Sequence, residues 1–202
     1  MKKNIALIGY GNWGKKVSEE IKKNNNFNLE AIVSSSHFLS QDNTKFYKNI
    51  DELIAHHYID CIYIAKNPKT NFKILNLLKY KKIPMILEKP FCDNSIEGLK
   101  IIKLIDENKI KVFTNLPNIY SDTYEFTKKL ILNNIKHIDK IIIHEGSSGP
   151  QNDKIHPILD WGIHSLSYIL SIFEQFKIKN INYKEINKTQ DHKFCVSKFD
   201  IH

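Results

Sequence analysis

Three groups of residues have types and spacings that could do chemistry. They are the glycines Gly9, Gly11 and Gly14, the triplet Glu88-Lys89-Pro90, and the pair Asp160 and His164. Glycine lets a ligand approach the backbone closely, whereas lysine and histidine hold charge or move protons near neutral pH. An acid and a histidine four residues apart lie on the same face of a helix. The spacing therefore predicts an anion-binding turn combined with an acid–base site, and a core ion pair or a metal site with His156 are the alternatives for Asp160 and His164.

The glycines form a G-x-G-x-x-G run that follows the first predicted strand and opens the first predicted helix. In this context the first glycine permits a tight turn, the second lets a pyrophosphate approach the backbone, and the third lets helix and strand pack closely. The helix N-terminus would face the phosphates with its N–H groups. Because three of the chain's seven glycines occur here, we predict a dinucleotide site that also includes Asn12 and Trp13. A structural turn without a ligand is the alternative interpretation.

The residues that end the second predicted strand bear on which dinucleotide is bound. Folds that bind NAD usually place a carboxylate about 20 residues after the glycines, but this chain has Ser34, Ser35 and Ser36 followed by His37. Hydroxyl groups, with His37 and Lys45 nearby, suit a 2′-phosphate better than a carboxylate does. We therefore predict NADP as the cofactor, with NAD as the alternative.

The elements that must position these residues alternate along the first two thirds of the chain. Strands are predicted at Asn4–Gly9, Asn28–Ser34, Ile59–Ala65, Pro84–Glu88 and Lys111–Leu116, with helices at Trp13–Lys23, Asp51–His57, Thr70–Lys81 and Ser95–Asn108. This alternation predicts parallel strands joined by helices. In the last of these helices Ser95 is the expected cap, and Leu99, Ile102 and Ile105 follow at helical spacing.

The pattern changes after about Asn118. A helix is predicted at Ser121–Asn134, a strand at His137–Glu145, a helix at Pro157–Phe173, and two strands at Ile178–Ile186 and Lys193–Ile201. We therefore predict an α/β fold in which a dinucleotide-binding domain with a doubly wound parallel sheet spans residues 1–118. A truncated α+β domain with a mostly antiparallel sheet, for substrate binding or oligomerisation, is predicted at residues 119–202.

The composition narrows the class of partner. The 202 residues carry a formal net charge of +8, but all 30 basic residues are lysine. Because arginine recognises bases and phosphates with paired hydrogen bonds, its absence argues against a nucleic-acid partner and leaves anionic small molecules. No apolar run approaches the length of a membrane helix, and the run behind the N-terminus is shorter than in a secretory signal. With three scattered cysteines, we expect a cytoplasmic protein with neither a membrane partner nor a metal site.

In this order and at this spacing, the glycine run, the Glu88-Lys89-Pro90 triplet and the Asp160-x-x-x-His164 helix resemble the Gfo/Idh/MocA oxidoreductases. The resemblance extends from residue 2 to about residue 186. It implies a Rossmann domain, a following open-faced sheet domain, and NAD(P)-dependent hydride transfer to or from a secondary alcohol or ketone of a sugar, a nucleotide sugar or a cyclitol. The resemblance also implies five further cofactor-binding residues, which are Ala65, Asn67, Pro68, Glu88 and Lys89.

The resemblance further implies catalytic roles for Lys89, Asp160 and His164, which agree with the chemistry of these side chains. His164 would take the hydroxyl proton during oxidation, and Lys89 would hold the substrate oxygen and stabilise its developing negative charge. Asp160 would bind a neighbouring hydroxyl group or orient the imidazole. The nicotinamide itself carries the redox chemistry.

Several features depart from the family pattern. Lys66 and Asn71 stand where the family usually has a threonine and a histidine. The second domain has a smaller sheet than the family's, so an exposed sheet edge is expected, which a homodimer would cover. We therefore keep a second hypothesis, a catalytically impaired dinucleotide-binding protein that acts as a sensor or partner subunit. A different Rossmann enzyme is the third: Tyr124 and Lys128 copy the short-chain dehydrogenase dyad, although that class spaces its glycines differently.

Overall fold

A computed structural model of the 202-residue chain describes residues 1–35, 43–56, 58–143, 158–173, 178–189 and 192–201. The chain forms two compact units, Met1–Asn115 and Leu116–His202. Within the described ranges, no helix is both long enough and apolar enough to cross a membrane.

The first unit is built on a six-stranded parallel sheet. Its strands are β1 (Lys3–Ile8), β2 (Phe27–Val33), β3 (Lys45–Tyr47), β4 (Cys61–Ile64), β5 (Met85–Glu88) and β6 (Val112–Asn115). They lie in the order β3-β2-β1-β4-β5-β6, and every neighbouring pair is parallel. The order reverses between β1 and β4, which opens a crevice at the carboxyl ends of these two strands. The predicted parallel sheet of a Rossmann fold is confirmed.

Helices cover both faces of this sheet because its central strands are apolar on both faces. The helices are α1 (Asn12–Lys23), α2 (Ile50–His56), α3 (Asn71–Leu78) and α4 (Ser95–Asn108). On one face Leu53, Leu75 and Ile101, from α2, α3 and α4, pack in the larger core. On the other face Val17 and Ile21 of α1 pack in a separate core. Alternate residues of β1 enter these two cores, which holds its carboxyl end in the middle of the first unit.

The cap of helix α4 differs from the prediction. Asn94, rather than Ser95, precedes the first turn with extended backbone, and its side-chain oxygen accepts a hydrogen bond of 2.9 Å from the Glu97 backbone N–H. Ser95 is instead the first helical residue. Asparagine and serine are similarly good caps, so the choice between two neighbouring candidates depends on where the chain enters the helix.

The helical spacing of Leu99, Ile102 and Ile105 does not mark the buried face of α4. Leu99 and Ile102 are exposed, whereas Ile101 enters the core. Both faces carry apolar residues at helical spacing, so their spacing does not decide which face is buried. Gly98 lies on the same face as Ile101, and a Cβ on it would stand 2.8 Å from the Cys92 sulfur. The missing side chain of Gly98 therefore lets this face approach the preceding loop.

The second unit contains two helices that are joined by a side-chain hydrogen bond. Its elements are α5 (Asp122–Asn134), a π-helical turn (Ile158–Gly162), α6 (Ile163–Ile172), β7 (Ile178–Thr189) and β8 (His192–Ile201). Ser121 caps α5 by accepting a hydrogen bond of 3.2 Å from the Tyr124 N–H. The Tyr124 hydroxyl donates a hydrogen bond of 2.6 Å to the Ser171 Oγ of α6. Strands β7 and β8 form an antiparallel pair.

The strand predicted at His137–Glu145 is wrong over the residues that the structure describes. A 3₁₀ turn at Ile135–His137 is followed by irregular backbone as far as Ile143, and residues 144 and 145 lie outside the described ranges. An apolar run becomes a strand only where another strand pairs with its backbone, and none of the described residues does so here. The predicted start of the next helix, Pro157, also lies outside the described ranges.

Candidate functional site

The glycine run lies where the strand order reverses. β1 ends at Ile8, and Gly9 turns the chain with a φ of 104°. The Gly9 N–H donates a hydrogen bond of 2.9 Å to the Val33 carbonyl at the end of β2, and the Ala65 N–H donates one of 2.8 Å to the Ile8 carbonyl. The turn is therefore held between the carboxyl ends of the two strands that flank β1.

The three glycines of the run have different surroundings. A Cβ on Gly9 would stand 2.3 Å from the Ala65 carbonyl oxygen, and one on Gly14 would stand 2.2 Å from the Gly9 carbonyl oxygen. The fold therefore requires glycine at both positions. A Cβ on Gly11 would meet no described atom within 4 Å, and Gly11 has an ordinary φ of −76°. The described part of the fold does not require glycine there, so the open space above its backbone is suited to a ligand.

Helix α1 begins directly after this open space. Gly11 is its N-cap; among the described residues no side chain caps the helix, and its first turn has no acidic residue. Asn12 and Trp13, both predicted to bind the cofactor, are exposed at this end of the helix. Backbone N–H groups and the positive end of the helix dipole together attract an anion. The residues present therefore fit the pyrophosphate of a dinucleotide.

The end of β2 carries the residues predicted to select the cofactor. Ser34 is buried, and its N–H donates a hydrogen bond of 2.9 Å to the Tyr47 carbonyl of β3. Ser35 follows it and is exposed. Ser36 and His37 lie outside the described ranges. Two of the four predicted residues are therefore located at the carboxyl edge of the sheet, and neither is a carboxylate.

Strand β3, which the sequence motifs do not indicate, places Lys48 rather than Lys45 near these serines. Its register places Lys45 opposite Ala31 and Tyr47 opposite Val33. Lys45 therefore lies at the amino end of β3, roughly 10 Å back from the carboxyl edge of the sheet. Lys48 directly follows the strand and is exposed at that edge.

On the other side of β1, the segment after β4 forms a second wall beside the glycine turn. Ala65 contacts the turn through its backbone, as described above, and Pro68 is buried. The Asn67 side-chain oxygen accepts a hydrogen bond of 3.0 Å from the Lys69 N–H and caps a 3₁₀ turn at Pro68–Thr70. Lys66 is exposed beside the turn. The predicted residues of this segment therefore lie at the same edge as the glycines.

Glu88 ends β5 and is held by two side chains outside the sequence motifs. The Tyr63 hydroxyl of β4 donates a hydrogen bond to Glu88 Oε1. Asn115, at the end of β6, donates from Nδ2 to the same carboxylate oxygen at 2.9 Å and to the Tyr63 hydroxyl at 2.8 Å. The sheet register places Asn115 directly opposite Glu88. Three neighbouring strands therefore contribute one residue each to a polar cluster at the carboxyl edge.

The surroundings of Tyr63 in this cluster set its protonation state. Burial is the main cause that raises the pKa of Tyr63 far above its ordinary value, and the Glu88 carboxylate raises it further, whereas the hydrogen bond from Asn115 opposes the rise. Tyr63 therefore keeps its proton and acts as a donor to Glu88 at neutral pH. A tyrosine in an otherwise apolar strand and an asparagine at a strand end are the sequence signals that could have indicated the cluster.

Lys89 follows Glu88 and is half-buried, and the Lys89–Pro90 peptide bond is cis. Asn71, which is buried at the start of α3, donates a hydrogen bond of 3.0 Å from Nδ2 to the Phe91 carbonyl. This bond ties the segment after β5 to α3. Asn71 therefore helps to fix the backbone that carries Lys89.

Asp160 and His164 lie on consecutive turns in the second unit. Asp160 is half-buried within the π-helical turn, and His164 is buried in the first turn of α6. The ring centroids of Trp161 and His164 are 6.1 Å apart. Because a π-helical turn is wider than an α-helical one, it changes the angle between the acid and the imidazole; such turns are frequent at functional sites. The residues are thus close in sequence and on one helical segment, as predicted.

The sequence of this chain matches a known protein family over more than half of its length. The chain matches the Gfo/Idh/MocA family, described as "Oxidoreductase family, NAD-binding Rossmann fold", over residues 3–116. No curated protein matches the sequence.

Solved structures with the same fold include two inositol dehydrogenases. Myo-inositol 2-dehydrogenase from Lactobacillus plantarum has a TM-score of 0.78 at 19% identity, with 94% of this chain and 61% of that chain covered. Scyllo-inositol dehydrogenase from Lactobacillus casei, solved with NAD(H) and scyllo-inositol, has a TM-score of 0.74 at 16% identity, with 93% and 61% covered. An NAD-binding protein from Listeria innocua has a TM-score of 0.72 at 16% identity, with 99% and 64% covered. The chain thus spans less than two thirds of the length of these proteins.

A parallel sheet with this strand order and a glycine turn at its switch point defines an NAD-binding protein of the Rossmann class. Within that class, the chain belongs to the Gfo/Idh/MocA family of oxidoreductases.

Proposed function

We propose that the chain is an NAD(P)-dependent oxidoreductase that transfers a hydride between a nicotinamide cofactor and a secondary alcohol or ketone of a sugar, a nucleotide sugar or a cyclitol. The observation that carries the proposal is the open space above Gly11, at the N-terminus of α1 and at the switch point of the sheet. The two inositol dehydrogenases that share the fold support a polyhydroxylated substrate.

In this proposal three side chains act on the substrate. His164 takes the proton from the hydroxyl group that is oxidised, and Lys89 stabilises the negative charge that develops on the same oxygen. Asp160 binds a neighbouring hydroxyl group or orients the imidazole. When bound, the nicotinamide supplies the hydride acceptor or donor. In the reductive direction the same side chains act in reverse, with His164 returning the proton.

We propose NADP as the preferred cofactor, with NAD as the alternative. The support is that Ser34 and Ser35 follow β2 where a carboxylate would repel a 2′-phosphate. Lys48 adds an exposed positive charge at the end of the neighbouring strand. Hydroxyl groups and an ammonium group are both suitable donors to a phosphate.

The domain assignment is also a proposal. The dinucleotide-binding domain would end near residue 118, and residues 119–202 would form an α+β domain with a mostly antiparallel sheet that includes β7 and β8. A homodimer through this sheet and a cytoplasmic location stay predictions. So does the expectation that the partner is a small molecule rather than a nucleic acid or a membrane.

The first experiment is a titration of the purified protein with NADPH and NADH, followed by tryptophan fluorescence. Trp13 lies within the glycine run, so a bound dinucleotide is expected to change its emission. We expect saturable binding with micromolar dissociation constants and the tighter constant for NADPH. If a folded protein binds neither dinucleotide, the proposed function is wrong.

The second experiment is an assay of NAD(P)H formation with a panel of inositols, free sugars and nucleotide sugars. We expect K89M and H164N to lower kcat at least about 100-fold, because each removes a group that acts in the transition state. K111M is the matched control: Lys111 is exposed just before β6, at the opposite edge of the sheet. Retained dinucleotide binding would show that the variants are folded. Binding without turnover on any substrate would favour the impaired sensor or partner subunit.

A further inference from the structure

Lys66 lies beside the glycine turn, across the switch point of the sheet. It is the second residue after β4, and its Cγ is 3.2 Å from the position that a Cβ on Gly9 would take. The stem of the side chain therefore lies against the turn, while the residue as a whole is exposed. A lysine ammonium on its flexible stem can reach the space above the turn from this position.

The surrounding charges favour an anion between Lys66 and α1. Lys69, three residues further on, forms an ion pair with Asp93, in which its Nζ lies 3.8 Å from Oδ2. The ion pairs of the described residues do not include Lys66. On the opposite side the first turn of α1 has no acidic residue. An anion above Gly11 would thus meet the positive end of a helix on one side and a lysine on the other.

We propose that Lys66 binds the pyrophosphate of the dinucleotide and raises the affinity for NAD(H) and NADP(H) alike. This inference rests on the proposed function. A pyrophosphate carries negative charge in both cofactors, and a charge-assisted hydrogen bond to it is stronger than a neutral one. Lys66 therefore contributes affinity and does not select between the cofactors.

The strand order explains why Lys66 does not contact the group that distinguishes the two cofactors. Lys66 follows β4, whereas Ser34 follows β2, on the opposite side of β1. Neighbouring strands lie about 4.8 Å apart, so these two strand ends are separated by about 10 Å. The pyrophosphate at the glycine turn would thus lie between Lys66 and a 2′-phosphate that is held at the end of β2.

The test is a calorimetric titration of K66M, K66R and K111M with NADH and with NADPH at two ionic strengths. Methionine keeps an unbranched stem against Gly9 and removes the charge, whereas arginine keeps the charge. K111M removes the same charge at the amino edge of the sheet. We expect K66M to raise the Kd for both dinucleotides about fivefold at low salt, and less than about twofold near 0.5 M salt, because salt screens an exposed charge. K66R and K111M are expected to bind as the unaltered protein does.

Two results would overturn the role of Lys66 while leaving the proposed function intact. One is an unchanged Kd for both dinucleotides in K66M, and the other is a loss confined to NADPH, which would place Lys66 at the 2′-phosphate. If the unaltered protein binds neither dinucleotide, both proposals fail together. An unchanged midpoint of thermal unfolding without ligand shows that K66M is folded, and the binding of K66R tests the charge independently of that variant.

Discussion

Replacing Gly11 with alanine separates the binding role of the glycine run from its folding role. The new Cβ would meet no described atom within 4 Å, and the φ of −76° suits alanine. Alanine is a poorer N-cap than glycine, which lowers the free energy of unfolding by about 0.5–1 kcal/mol. It also reduces the entropy of the unfolded chain, which raises the free energy of unfolding by about 0.4–1 kcal/mol. These effects oppose each other, so the free energy of unfolding without ligand should change by no more than about 0.5 kcal/mol.

The same methyl group would occupy the space above the Gly11 backbone that we assign to the pyrophosphate. The loss of one or two charge-assisted hydrogen bonds, each contributing about 1.5–3 kcal/mol, should raise the Kd about 100-fold. At a dinucleotide concentration 100 times the original Kd, the unaltered protein gains about 2.7 kcal/mol from binding, whereas G11A gains about 0.4 kcal/mol. For a protein of this size the first gain raises the midpoint of thermal unfolding by about 5–10 °C and the second by about 1 °C.

The assay is differential scanning fluorimetry with and without NADPH, using G14A as the comparison. A Cβ on Gly14 would stand 2.2 Å from the Gly9 carbonyl oxygen, so G14A should lower the midpoint without ligand through a loss of about 3 kcal/mol. If G11A keeps the full ligand-induced shift, the open space above Gly11 does not receive the phosphates. That result would refute the reasoning from the glycine run to a dinucleotide.

Three further predictions concern local stability. Asn94→Ala should lower the free energy of unfolding by about 1 kcal/mol and Ser95→Ala by much less in urea denaturation, because Asn94 caps α4; equal losses would refute this assignment. Gly98→Ala should raise the free energy of unfolding by about 1 kcal/mol only when Cys92 is also replaced by alanine, because the Cys92 sulfur lies 2.8 Å from the new Cβ. A gain from Gly98→Ala alone would show that this contact relaxes freely. The Asn4 N–H and the Lys3 ammonium lower the pKa of Asp60, so its contribution to stability should be present above about pH 4 and lost as the pH falls further. Asp60→Asn should therefore be less stable than the unaltered protein at pH 6, and this difference should shrink at pH 3; a constant difference would contradict the sign.

Features that depend on neighbouring residues in the sequence are predicted well. Five of the six strands of the parallel sheet have four to seven residues, which is enough to show a pattern, and Gly9 and Gly14 lie at the turn where strand and helix approach closely. β3 is missed because its three residues are too few to show a period. The strand predicted at His137–Glu145 is wrong over its described part because an apolar run says nothing about whether a partner strand is available.

The cluster around Glu88 shows what a one-dimensional pattern does not contain. Tyr63 and Asn115 are separated from Glu88 by 25 and 27 residues, yet the parallel register brings all three to one edge of the sheet. The same dependence on register moves Lys45 away from the end of β2. Side-chain identity along a strand is local, but the neighbour on the next strand is decided by pairing.

The sequence by itself determined the class of fold, the position of the glycine turn and the motif residues, because hydrophobic runs and glycine conformations are local properties of the chain. Only the tertiary structure decided which face of α4 is buried, which asparagines and tyrosines support Glu88, and that Lys66 lies against the turn. These features depend on strand order and on contacts between segments far apart in sequence. Such contacts form and stabilise the protein only when the strands have paired.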